Sequence, residues 1–293
     1  MGIMRFNYRS QAIGGYIDIS VAYPTDHISY YDVSKGARHH DSAGDKPFVY
    51  EPGMKFQTVY LLHGGGDDDS LTYRYTNAER YAQKHQVMLV TPGMMNSFGV
   101  DTAYGVAYST FLTEELPVVI RSLFASSPRR EDNFLMGYAM GGNAALGTAL
   151  LRPDLFSVCM DISGGIGMTM NRETLQAELV SDHFKNWFPL YCATFGSPEA
   201  IPASRFDLKA IAQRHLDAGV KLPKLYVLAG GDEPDFIFNR IQADADTLKA
   251  MGMDVDYRCY PGYKHDFAFW DYVIRHAFET LLPLRNAPIY PGE

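Results

Sequence analysis

Asn133-Phe134-Leu135-Met136-Gly137-Tyr138-Ala139-Met140-Gly141-Gly142 is the stretch on which the fold turns. Residues 133–136 read as a short buried strand, and residues 143–151 as the helix that follows it. Between them Gly137 and Gly141 stand two residues either side of Ala139, the spacing of a G-x-S-x-G elbow. Such an elbow places a nucleophile on a strained strand-to-helix turn, and its glycines let the backbone fold back on itself. Here a methyl group occupies the position of the nucleophilic oxygen.

Working outward, strands and helices alternate. Thr58-Val59-Tyr60-Leu61-Leu62 is short and apolar, as a strand buried on both faces should be. Residues 16–22 alternate like a half-exposed strand and stop before Pro24. Further apolar runs predict strands at 87–90, 158–162, 225–229 and 255–259. Helical periodicity covers 77–85, 111–124, 207–218, 238–251 and 267–282. This pattern predicts an α/β fold, a mostly parallel central sheet flanked by helices. No repeat, low-complexity tract or linker divides the chain, so residues 1–293 read as a single domain, with polar hairpin loops over 25–55. The stretch 165–205 breaks the rhythm with His183, Phe184, Trp187, Phe188, Tyr191 and Phe195. It is either an irregular insertion packed on the core or a cap whose rings line an acyl pocket.

Composition narrows the function. With 26 Lys and Arg against 34 Asp and Glu, the net charge is −8 and no basic run exists, which argues against a nucleic-acid partner. No run of 18 apolar residues predicts a membrane span. The first residues lack the layout of a secretory signal, so the chain as given reads as cytoplasmic, or as secreted if a signal has been trimmed. Cys159, Cys192 and Cys259 form neither a CxxC pair nor a disulfide framework, and read as buried free thiols.

An elbow of this type works with a base, an acid that orients the base, and donors for an oxyanion. His63-Gly64-Gly65-Gly66 directly follows a predicted central strand, where a backbone N–H can approach a substrate unobstructed. The oxyanion donors are assigned to the amides of Gly65 and Met140. His265 lies in the loop after the last predicted strand and is the candidate base. Gly230-Gly231-Asp232-Glu233-Pro234-Asp235-Phe236 follows the preceding strand and offers three carboxylates. Asp235 is the preferred acid, with Asp232 as the alternate and Glu233 behind it. The order elbow, acid, histidine fits this arrangement. Asp67-Asp68-Asp69 reads as a solvated acidic loop rather than a calcium site, and His39-His40 lack a third ligand. Ser163 follows a strand but lacks the elbow's leading glycine, so it is not taken as a nucleophile.

The chain resembles the esterase D / tributyrin esterase branch of the α/β-hydrolases, which includes feruloyl and acetyl-xylan esterases and S-formylglutathione hydrolases. The resemblance runs from about Phe6 to the C-terminal helix. It is carried by Leu61-Leu62-His63-Gly64, Glu114-Glu115-Leu116-Pro117, residues 134–144 and His265-Asp266-Phe267-Ala268-Phe269-Trp270. The family elbow resembles G-x-S-M-G-G, and Met140-Gly141-Gly142 are present with Ala139 at the serine position. In that family the acid usually precedes a Phe, which favours Asp235.

The resemblance implies a serine carboxylic ester hydrolase acting on a feruloyl or short-chain acyl ester, a small molecule or an acylated carbohydrate, without metal or organic cofactor. S-formylglutathione is a more distant substrate, and a homo-oligomer is compatible with the family. Because His265 and the glycine loop are retained, replacement of a serine at 139 is favoured over natural loss. The alternative is a binding protein on a hydrolase scaffold.

Overall fold

Thr58–Leu62 (β3), Met88–Pro92 (β4), Asn133–Tyr138 (β5) and Val158–Ile162 (β6) are buried at every residue. Continuous burial of this kind requires a cover on both faces of a sheet. The computed structural model describes residues 1–25, 50–165, 188–196 and 207–293. Among these residues the four strands join Gly2–Ser10 (β1), Gly15–Tyr23 (β2), Lys224–Gly230 (β7) and Val255–Tyr260 (β8) in one sheet of order β1-β2-β4-β3-β5-β6-β7-β8. β1 pairs antiparallel with β2, and β2 antiparallel with β4; the remaining neighbours are parallel. The parallel strands therefore present their carboxyl ends, and the loops that follow them, on one side of the molecule.

The helices divide between the two faces because alternate strand residues point to opposite sides. Tyr60, Leu62, Leu135, Cys159 and Val227 face Leu116–Leu123 (α3), Met140–Leu151 (α4), Leu208–Asp217 (α6) and Asp235–Ala250 (α7). Val59, Leu61, Phe134, Met136, Met160 and Leu228 face Ala78–Lys84 (α2) and Phe267–His276 (α8). A single turn of helix, Leu71–Tyr75 (α1), leads into α2.

The predicted alternation is present, with several differences: the helix predicted over 111–124 is a π turn over Phe111–Glu115 followed by α3, and α7 begins at Asp235 rather than 238. β1 was not anticipated: it is an edge strand whose side chains are mostly exposed, including Ile3 and Met4, so no buried face marks it. α4 starts at Met140 rather than 143, directly after Ala139. The last helix ends at His276 and continues as a π turn over Ala277–Leu281. Most of the suggested cap over 165–205 and of the hairpin loops over 25–55, with His39-His40, lies outside the described residues. Within 165–205, Phe188–Phe195 (α5) is helical, and the buried Phe195 ring lies 5.2 Å from that of Phe98.

The cysteines are free, but burial holds for Cys159 alone; Cys192 is half-buried and Cys259 exposed. Cys259 lies on β8, the other edge strand of the sheet, none of whose residues is fully buried.

Candidate active site

Ala139 joins β5 to α4 with φ 51° and ψ −125°, a backbone that a side chain rarely tolerates. The glycines around it are required by contact. A Cβ on Gly137 would lie 2.1 Å from the Gly141 carbonyl oxygen, and one on Gly141 would lie 2.1 Å from that of Leu62. The turn is held by the Ala139 N–H, which donates to Ile162 O at 2.8 Å, and by the Gly142 N–H, which donates to Ala139 O at 2.9 Å.

β3 and β5 are neighbours in parallel register, Leu62 opposite Gly137, so their following loops emerge side by side. This brings the His63–Gly66 loop against the start of α4. Gly65 is exposed on that loop, and Met140 is the first residue of α4, where backbone N–H groups lack intrahelical partners. The loop is pinned from behind. The Met94 N–H donates to His63 Nε2 at 2.9 Å, which leaves Nδ1 as the donor to Gly64 O at 2.8 Å. Burial lowers the His63 pKa, so this ring is a neutral strut. Asn96 Oδ1 accepts the Gly66 N–H at 2.7 Å.

The three aspartates that follow go to separate partners. Asp69 binds Arg5 and Ser20, Asp68 accepts from Ser70, and Asp67 accepts from Tyr138 Oη at 3.1 Å.

On the other flank, His265 follows β8 and places Nδ1 3.2 Å from Glu233 Oε2. The Glu233 side chain is fully buried and that of His265 about one quarter exposed. Glu233 Oε1 accepts from the Gly230 N–H at 2.9 Å and from Ser163 Oγ at 2.6 Å. Neither carboxylate ranked ahead of it from sequence meets the histidine. Asp232 and Asp235 are both exposed. Asp235 opens α7, where a negative charge is favoured by the helix dipole. From sequence alone all three acids suit a polar loop, and the Phe that follows Asp235 favours that residue. Only the tight turn at Gly230, which folds Glu233 inward, separates them; a Cβ on Gly230 would lie 2.5 Å from Tyr263 O.

Aromatic rings tie the flanks together. Tyr138, next to Ala139, stacks on Trp270 at 4.7 Å, and Trp270 meets His265 edge-on at 5.1 Å. Phe267 packs against both Tyr138 and Trp270, and the exposed Tyr75 ring stacks on Phe267 at 4.8 Å. Ser163 and the buried Asp161 also belong to this end of the sheet, and sequence reading assigned neither a role. Burial raises the Asp161 pKa to about 7, with a further push from the charge of Glu233.

A strained elbow after β5, a glycine loop after β3, and a carboxylate–histidine pair spanning the ends of β7 and β8 define an α/β-hydrolase fold. The chain belongs to the esterase family ("Putative esterase"), which it matches over residues 45–194. It is 26% identical over 249 residues to an acetyl esterase of Caldicellulosiruptor saccharolyticus, covering 80% of this chain and 89% of the relative. Among solved structures it is similar to the fluorophosphonate-binding serine hydrolase FphF of Staphylococcus aureus, determined with substrate bound. That likeness has a TM-score of 0.75 and 24% identity over 96% of this chain and 98% of the other. It is also similar to the S-formylglutathione hydrolase FrmB of S. aureus, with a TM-score of 0.73 and 24% identity over 96% and 98%. Among the described residues no helix is long and apolar enough to cross a membrane.

Proposed function

We propose that this chain is a serine-type carboxylic ester hydrolase in which Ala139 stands at the nucleophile position. The observation that carries this reading is the pairing of His265 with the buried Glu233, together with a non-glycine residue held at φ 51° after β5. Strained backbone clusters at functional sites, and an imidazole oriented by a buried carboxylate is the arrangement a catalytic base requires.

With serine at 139, the hydroxyl attacks the ester carbonyl and His265 Nε2 takes its proton. Glu233 receives the Nδ1–H and holds the imidazole in the tautomer this requires. The amides of Gly65 and Met140 stabilise the oxyanion, and water then releases the acid from the acyl-enzyme. No step calls for a metal or an organic cofactor. The chain with alanine keeps substrate binding and loses turnover by about 10⁴-fold or more.

The substrate is an ester of a small alcohol or a carbohydrate. Similarity to an acetyl esterase supports a short acyl group. The accessible rings of Tyr75 and Phe267, backed by the buried Tyr138 and Trp270, support a hydroxycinnamoyl group stacked against them. The alanine itself favours a second reading, a protein that binds such esters without cleaving them.

The Ala139→Ser variant, assayed on p-nitrophenyl acetate, p-nitrophenyl butyrate and methyl ferulate, decides between these readings. Turnover that disappears again in the Ala139→Ser/His265→Ala double variant supports the hydrolase. A folded Ala139→Ser variant inert on all three leaves the binding role.

A further inference from the structure

Ser163, like Ala139, is a non-glycine residue with positive φ directly after a central strand. It follows β6 directly, has φ 59° and is 1% exposed. Serine has no conformational advantage there over glycine or asparagine, so its hydroxyl must account for its fit. That hydroxyl makes two contacts. It lies 3.3 Å from Trp270 Nε1 and 2.6 Å from Glu233 Oε1.

The donor directions follow from chemistry. An indole nitrogen can only donate, so Ser163 Oγ accepts from Trp270, and its single proton goes to Glu233. Oε1 thus receives two donors, Ser163 Oγ–H and the Gly230 N–H, and Oε2 is left facing His265 Nδ1. Trp270 then closes the circuit by packing edge-on against the His265 ring.

We propose that Ser163 is a positioning residue: its hydroxyl fixes the Glu233 carboxylate, and through it the Nδ1–H tautomer of His265. The proposal rests on the reading of His265 and Glu233 as base and acid. It adds a fourth side chain, Ser163, and a fifth, Trp270, that never touch the substrate. The serine sits in the wrong sequence context for a nucleophile, and the structure gives it a different task.

The test uses two readouts. In the chain as given, the ¹H–¹⁵N correlation of the His265 Nδ1–H, assigned by its loss in His265→Ala, reports the carboxylate contact without any activity. Ser163→Gly removes the hydroxyl while relieving the positive φ. Ser163→Cys keeps the side chain and replaces O–H with a weak S–H donor, which covers the case in which the glycine variant fails to fold. Both are expected to broaden or abolish the signal. In the Ala139→Ser background both are expected to lower kcat about 10- to 100-fold, with KM within about twofold. Retention of both signal and kcat in either folded variant overturns the proposal, since the serine would then serve the backbone alone. If Ala139→Ser is inactive but the signal is present and lost with the hydroxyl, Ser163 still positions His265 and the esterase reading is what fails.

Discussion

His265 Nδ1 lies 3.2 Å from Glu233 Oε2, whereas Asp235, two residues further along, faces solvent at the head of α7. The carboxylate within hydrogen-bond reach of the imidazole is therefore the buried one and not the one that stands before Phe236. In the Ala139→Ser background, Glu233→Gln is expected to lower kcat by about 10³- to 10⁴-fold, because the amide no longer enforces the Nδ1–H tautomer. Asp232→Asn and Asp235→Asn are expected to stay within about threefold of the parent. A loss in Asp235→Asn as large as that in Glu233→Gln, measured on p-nitrophenyl acetate, would transfer the role back to Asp235.

Much of this arrangement could be read from the chain. The run 58–62, the elbow glycines and the histidine after the last strand are local signals, and each lands on the element expected of it. The choice among Asp232, Glu233 and Asp235 is not local. It depends on how Gly230 turns against Tyr263 O and on a hydroxyl seventy residues earlier, at Ser163. Nor did β1 announce itself, because an edge strand with exposed side chains has no apolar face to pattern.

The elbow glycines differ sharply from Gly147, further along α4. Gly137→Ala puts a methyl 2.1 Å from a backbone oxygen that cannot rotate away. A loss of more than about 3 kcal/mol, or failure to fold, is expected. Gly147 lies inside α4, where an added Cβ meets only the tip of Leu208 at 3.6 Å. Gly147→Ala should stabilise the chain by about 0.5–1 kcal/mol through helix propensity. Urea unfolding of both variants checks the opposite signs, and equal shifts would mean that the turn is looser than described.

Strain at Ala139 makes its own prediction. A non-glycine residue at φ 51° and ψ −125° costs about 1–3 kcal/mol, and glycine adopts that backbone freely. After allowance for the extra freedom glycine gives the unfolded chain, Ala139→Gly should stabilise by about 1 kcal/mol. Ala139→Ser should be near neutral, since serine inherits the same strain. The unfolding midpoint should move without a change in slope. An Ala139→Gly variant less stable than the parent would show that the elbow is not strained.

Asp161 ties stability to pH. Its side chain is buried beneath Gly142 and Gly164, and the backbone N–H groups of Gly164 and Gly165 offset only part of the cost of burying its charge. Burial raises its pKa from the usual 3.8 to about 7. Between about pH 4 and 7 the folded chain thus holds a proton that the unfolded chain has released. Raising the pH through that window favours unfolding, and the penalty is complete above 7. The gap corresponds to on the order of 4 kcal/mol. Asp161→Asn removes the titration while keeping the shape, so its stability relative to the parent should rise from pH 4 to 7 and then level off. Urea midpoints at pH 4.5, 6 and 8 measure that difference. If the two proteins keep a constant separation across the three values, Asp161 is ionised throughout and a partner for its charge must be present.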